Sequence, residues 1–190
     1  MQERLLIHAG TLLTPTCTYP QATVVVRAGV IAEIHPGTLP AAPGDTIIDA
    51  TGQLVGPGFV DLHVHGGGGH DAMDATPAAL AGLAAFHARH GTTALLPTTM
   101  AAPPEQIHRA LQAIGEAMGE PNGGARILGA HVEGPFLSPA RRGAHPARHL
   151  RRPDDGRDDW LTAHLAAIRR CTLAPELPGA PELIRDLRRQ

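Results

Sequence analysis

Three kinds of residue in this sequence carry types and spacings that can do chemistry: paired histidines, a strand-end glutamate and a histidine in an arginine-rich loop. The pair sits in Phe59-Val60-Asp61-Leu62-His63-Val64-His65. Side chains alternate across a β-strand with period two. Val60, Leu62 and Val64 therefore share one face, suited to packing against helices. Asp61, His63 and His65 share the other. Two imidazoles two residues apart on one face can hold a single metal ion, histidine being the commonest metal ligand. Asp61 lies one layer deeper, where a carboxylate can orient a ligand histidine. The chain has twelve histidines, and at that frequency about one His-x-His pair arises by chance. Two ordinary polar residues at a strand end are the competing reading. The apolar alternation, and the Gly56-Pro57-Gly58 turn before it, favour metal.

The glutamate lies in Ile127-Leu128-Gly129-Ala130-His131-Val132-Glu133-Gly134-Pro135-Phe136. The same alternation puts Leu128, Ala130 and Val132 on one face and Gly129, His131 and Glu133 on the other. A carboxylate at the end of a buried strand is costly unless it is paired or metal-bound. Glu133 is thus a candidate ligand, able to bridge two ions. Its alternative is a solvated strand-end residue, which the Gly134–Pro135 turn disfavours. Gly66–Gly69 reads equally as a close approach to a ligand or as a turn, and it lacks the lysine of a phosphate loop. In Gly143-Ala144-His145, His145 can hydrogen-bond a hydroxyl or a carbonyl; by residue type alone it reads as a surface histidine. Arg141 and Arg142 can meet an anion, though exposed arginines usually do nothing specific.

The elements that must position these residues read in two blocks. Over residues 1–55, Leu5–Ile7, Ala22–Val26, Val30–Ile34 and Ile47–Asp49 are strand-like runs between turn signals, expected to form part of a small β-sandwich. From residue 56 to 190, strands and helices alternate. Strands are expected at Phe59–His65, Thr92–Pro97, Ile127–Glu133 and Thr172–Ala174. Helices are expected at Pro77–His90, capped by Thr76, and at Pro104–Met118, Asp158–Arg170 and Pro181–Arg189. Such alternation means α/β with a parallel sheet. It corresponds to the first four units of a TIM-type (β/α) barrel, whose chemistry sits at the strands' C-terminal ends.

Bulk composition narrows the function classes. Of 190 residues, 43% are hydrophobic and the net charge is −2. That balance offers no electrostatic footprint for nucleic acid or an anionic membrane. No lysine is present, which excludes Schiff-base chemistry and a carboxylated lysine between two metals. Cys17 and Cys171 make neither a disulfide framework nor a thiolate zinc site. No apolar run reaches the length of a membrane span, so a soluble cytoplasmic protein is expected.

Four segments together resemble the N-acetylglucosamine-6-phosphate deacetylases of the amidohydrolase superfamily. They are GPGFVDLHVHG (56–66), GTTALLPTT (91–99), GAHVEGPFLSPARRGAHP (129–146) and TLAPE (172–176). HVEGPFL followed by RGAH is the most specific of these; GFVDLHVH is shared with dihydroorotases, hydantoinases and many deaminases. The resemblance implies metal-dependent hydrolysis of the acetamide of N-acetylglucosamine 6-phosphate, giving acetate and glucosamine 6-phosphate. It implies Glu133 as a metal ligand, His63 and His65 as ligands to a second ion, and Ala144 (through its backbone) and His145 as sugar contacts. The cofactor is one or two divalent ions, zinc, iron, cobalt or manganese by donor type. The resemblance also implies a homodimer of the full-length protein. It places two further histidine ligands, the catalytic aspartate and most phosphate contacts beyond Gln190, so the 190 residues alone are expected to be poorly stable and inactive. Three alternatives stay open: a cyclic amidase of the dihydroorotase or hydantoinase kind; a non-catalytic product that binds one metal weakly or assembles with a complementary fragment; and a generic α/β binding module, which leaves the inward His-x-His and the strand-end glutamate unexplained.

Overall fold

Strand β1 (Arg4–Leu13) organises the first unit, Met1–Pro57, because it has strand neighbours on both sides. The computed structural model describes residues 4–156 and 159–189. β1 pairs antiparallel with β2 (Thr18–Tyr19) and β3 (Ala22–Arg27), and parallel with β5 (Thr46–Val55). β4 (Val30–Pro36) continues the sheet antiparallel to β3. Ala9, Leu12, Ala22 and Val24 form a small buried cluster there. Among the described residues this unit is a single five-stranded sheet.

The second unit, Gly58–Gln190, carries the alternating pattern. β6 (Phe59–Val64) pairs parallel with β9 (Thr92–Pro97), which pairs parallel with β10 (Arg126–Ile127). β11 (Ala130–Glu133) pairs parallel with β12 (Ile168–Thr172), and a Thr98–His131 bridge ties β11 to the end of β9. Four parallel strand positions thus follow one another in chain order. β7 (Gly66–Gly67) and β8 (His70–Asp71) form a small hairpin between β6 and helix α1 (Pro77–Ala88).

Local chemistry explains the helices. Thr76 caps α1, its hydroxyl accepting the Ala79 N–H, and Pro77 occupies the first turn, where no N–H is needed. In α2 (Pro104–Ala117), Ile107, Ala110, Leu111 and Ile114 recur on one face and are buried. They meet Leu80 and Leu83 of α1, Leu95, Ile127 and Val132 of the strands, and Phe136 and Leu161. Each of the buried leucine, isoleucine, valine and phenylalanine side chains contributes about 1.5–3 kcal/mol.

Four expectations change. The third strand is interrupted rather than continuous over Ile127–Glu133. Leu128 N–H still bonds Leu95 of β9, whereas Ala130 N–H bonds Ala167 just before β12. The switch occurs at Gly129, which has φ +148°, and a Cβ there would lie 2.5 Å from the Ala167 carbonyl oxygen. The long helix expected from Asp158 to Arg170 is one turn, α3 (Asp159–Thr162), Asp158 lying outside the described residues. The fourth strand then begins at Ile168 instead of Thr172, because pairing with β11 outweighs the helical spacing of Leu165 and Ile168. The last helix, α4 (Ala180–Leu187), lies where expected. Finally, Val64 is buried but Val60 and Leu62 are 56% and 47% exposed. Among the described residues no helix covers that stretch of β6.

Candidate metal centre

Three strand ends converge on one point. β6 delivers His63 and His65, and β11 delivers Glu133. Hydrogen bonds at the end of β9 hold them in register: backbone Thr98 N–H to Val64 O at 2.8 Å and Thr99 N–H to His131 O at 3.0 Å, and Glu133 N–H to the Thr99 hydroxyl Oγ1 at 3.3 Å. The Nε2 atoms of His63 and His65 each lie 3.0 Å from Glu133 Oε2 and 3.1 Å from each other. Three donor atoms from these residues fall within 4.8 Å of one another.

The donor chemistry fits a divalent cation. His65 Nδ1 lies 3.2 Å from the Thr98 carbonyl oxygen, which can only accept, so this nitrogen carries the proton. The His65 Nε2 lone pair then faces the His63 ring and a carboxylate. Three converging acceptors are unfavourable unless a proton or a cation lies among them. Two donors on one ion at about 2.1 Å sit on the order of 3.0–3.4 Å apart, the spacing found here. Oxygen and imidazole donors suit zinc, iron, cobalt or manganese alike.

Burial pushes the Glu133 carboxyl up, but His63 and His145, the hydrogen bond from His63 and then His65 outweigh it and hold it below the ordinary carboxylate range. His131 is fully buried, its ring at 90° to that of His63 with centroids 4.6 Å apart. Burial first, then the electrostatic influence of neighbouring His63 and Arg170, lowers its pKa to about 4.

Two predicted roles shift. Among the described residues Asp61 binds no imidazole ring: its Oδ1 accepts the His63 backbone N–H at 3.0 Å, so it steadies the strand that carries the ligand. His145 is not a surface residue. It is 6% exposed; its Nδ1 accepts the Ala101 N–H at 3.1 Å, which leaves Nε2–H to donate to Glu133 Oε2 at 3.3 Å. Arg142 Nη1 holds the His145 carbonyl at 2.6 Å, while Arg141 is exposed. Ala144 is exposed in the turn beside it. Of the glycines after His65, Gly67 answers to packing. A Cβ on Gly67 would lie 2.6 Å from Phe86 and 2.7 Å from His87 on α1.

Sequence reasoning placed His131 on the inward face but gave it no task, and Thr98 and Thr172 drew no attention. The strand alternation was the available signal for His131. Nothing local marks a threonine that meets a histidine from another strand.

The amidohydrolase family model matches residues 54–186. An N-acetylgalactosamine-6-phosphate deacetylase of Escherichia coli O157:H7 is 37% identical over 97% of this chain and 48% of its own length. The human N-acetylglucosamine-6-phosphate deacetylase is 41% identical over 73% of this chain and 35% of its own. Among solved structures, an N-acetyl-D-glucosamine-6-phosphate deacetylase mutant from Mycobacterium smegmatis, in complex with N-acetyl-D-glucosamine-6-phosphate, superposes with a TM-score of 0.81 at 32% identity, covering 96% of this chain and 46% of that one. The Pasteurella multocida N-acetylglucosamine-6-phosphate deacetylase gives a TM-score of 0.88 at 26% identity, over 98% of this chain and 48% of that one. The chain thus spans about half the length, or less, of the relatives it matches. With the family model covering most of its length, the chain belongs to the amidohydrolase family.

Proposed function

We propose that this chain serves metal-dependent hydrolysis of the acetamide of N-acetylglucosamine 6-phosphate, giving glucosamine 6-phosphate and acetate. The observation that carries the reading is the convergence of His63 Nε2, His65 Nε2 and Glu133 Oε2 at strand ends, in a chain whose relatives are named for this deacetylation. In this reading residues 56–190 are the first half of a (β/α) barrel, and residues 1–55 supply strands of a small β-sandwich.

His63, His65 and Glu133 hold one or two divalent ions. When bound, such an ion polarises a carbonyl and lowers the pKa of water. The chain's own residues do the rest. Glu133 provides the anionic donor, and its oxygen is aimed by the Nε2–H of His145. The exposed backbone of Ala144 presents one sugar contact, and His145 becomes the second when its Nε2–H is handed from Glu133 to the substrate. The expected setting is a cytoplasmic homodimer; no helix among the described residues is long and apolar enough to cross a membrane.

The 190 residues alone are expected to be inactive. The cluster contains one carboxylate, and as a ligand it is not free to shuttle a proton. β6 and β12 each lack a strand partner on one edge among the described residues. The test is intact mass of the natural gene's product, followed by acetate release with added zinc, cobalt or manganese. Acetate release by a product well above 19.9 kDa supports the reading. Acetate release by the 190-residue chain itself would overturn the inactivity. Hydrolysis of dihydroorotate or a hydantoin without acetate release would transfer the chain to the cyclic amidases. The 4-epimer, N-acetylgalactosamine 6-phosphate, belongs in the same assay, because the relative matched over nearly the whole chain is named for it.

A further inference from the structure

Beneath the ligand cluster lies a chain of hydrogen bonds with little freedom in its proton order. Thr98 is fully buried at the end of β9. Its hydroxyl has one proton and two lone pairs. It lies 3.1 Å from Leu96 O, 2.9 Å from Val64 N and 3.2 Å from His131 Nδ1. A carbonyl only accepts, and a backbone N–H only donates. The hydroxyl proton therefore goes to Leu96 O, and one lone pair takes the Val64 N–H. The other lone pair is left for a donor, which makes His131 the Nδ1–H tautomer. His131 Nε2 is then a bare acceptor, matched by the Thr172 hydroxyl on β12 at 2.8 Å. The carbonyl of the same Thr98 takes the Nδ1–H of His65. One threonine thus orders the protons of two imidazoles, and the chain of contacts runs across all four parallel strands.

We infer that Thr98, His131 and Thr172 form a proton-ordered strut that positions the metal ligands: it fixes His65 with its Nε2 lone pair facing Glu133, and it wedges the perpendicular His63 ring in place. These are positioning residues, acting through the ligands they hold. The inference rests on the metal reading above for its purpose, but the proton order stands on geometry. An ordinary buried histidine would need only some partner for each nitrogen. Here the partners also carry β6 and the tautomer of a ligand.

The test uses the full chain with 15N-labelled histidine, free of metal and then titrated with Co(II). Long-range 1H–15N correlation should show His65 and His131 as neutral Nδ1–H tautomers. Thr98→Val should scramble the His131 tautomer and weaken Co(II) binding about 10–100-fold, the usual range for residues behind a ligand, with a changed visible spectrum. Thr98→Ser should restore both. Because Thr98→Val leaves the Val64 N–H unpaired and can fail to fold, Thr172→Val is measured beside it. It removes only the last donor, and it should also weaken Co(II) binding, with rescue by Thr172→Ser. Wild-type protein showing either ring as the Nε2–H tautomer overturns the strut. So does a folded Thr98→Val or Thr172→Val protein with wild-type affinity and spectrum. Wild type that shows both tautomers yet binds no Co(II) sinks the metal reading while leaving the proton order supported.

Discussion

Glu133 receives three imidazoles on one oxygen, at 3.0, 3.0 and 3.3 Å. Two of them come from the strand motif and one from a distant loop. Their roles differ by proton placement. His65 turns a lone pair toward the cluster, and His145 turns an N–H toward it. Replacing the carboxylate while keeping its shape should therefore remove the anionic donor and leave the protein folded. Glu133→Gln is expected to lower divalent-metal affinity by at least about tenfold, measured by competition with a chelating indicator, and to leave the unfolding midpoint nearly unchanged. Wild-type affinity in this variant would remove Glu133 from the ligand set.

At the scale of elements, two local devices have measurable weight. The Thr76 hydroxyl is the side-chain cap of α1, whose Leu80 and Leu83 enter the main core. Thr76→Ala is expected to cost about 1 kcal/mol, read as a lower urea midpoint at constant slope. In the first unit, Arg4 at the head of β1 pairs with Asp45, just before β5. The hydrogen bond from Arg4, then that from the Ala42 N–H, holds the Asp45 carboxyl down to about 2. A depressed carboxyl contributes stability that is full above its unfolded pKa, near 3.9, and is lost as pH falls through the folded value. Acid titration should show this unit losing stability between about pH 4 and pH 2, and Asp45→Asn should flatten that limb. An unchanged limb in Asp45→Asn would remove the pair from the acid response.

At the scale of the whole molecule, apolar surface is the dominant feature. Phe59, Val60 and Leu62 on β6 are 70%, 56% and 47% exposed, along a strand with one unpaired edge. Exposed apolar strand edges promote association. Val60→Thr with Leu62→Thr keeps β-branched or strand-compatible side chains and removes apolar area. It is expected to raise the monomer fraction in size-exclusion chromatography without lowering the unfolding midpoint. A lower midpoint would show that these side chains pack in the 190-residue chain as they stand.

Most of the elements were legible because their signals are local. Pro77 behind Thr76, and the spacing of Ile107, Leu111 and Ile114, mark helices that exist within two residues of expectation. The alternation in Phe59–His65 put His63 and His65 on one face, and the fold brings Glu133 to them. The misses are contacts between segments far apart in the chain. Ile168 to Thr172 became a strand because β11 lay alongside. His145 became buried because Ala101 and Glu133 each offered one of its nitrogens a partner. By itself the sequence determined which residues share a strand face, where α1 and α2 begin, and which donor atoms were available for a metal. Only tertiary structure decided which nitrogen of each imidazole carries the proton, because that depends on the acceptor or donor supplied by another strand, and no spacing within one segment encodes it.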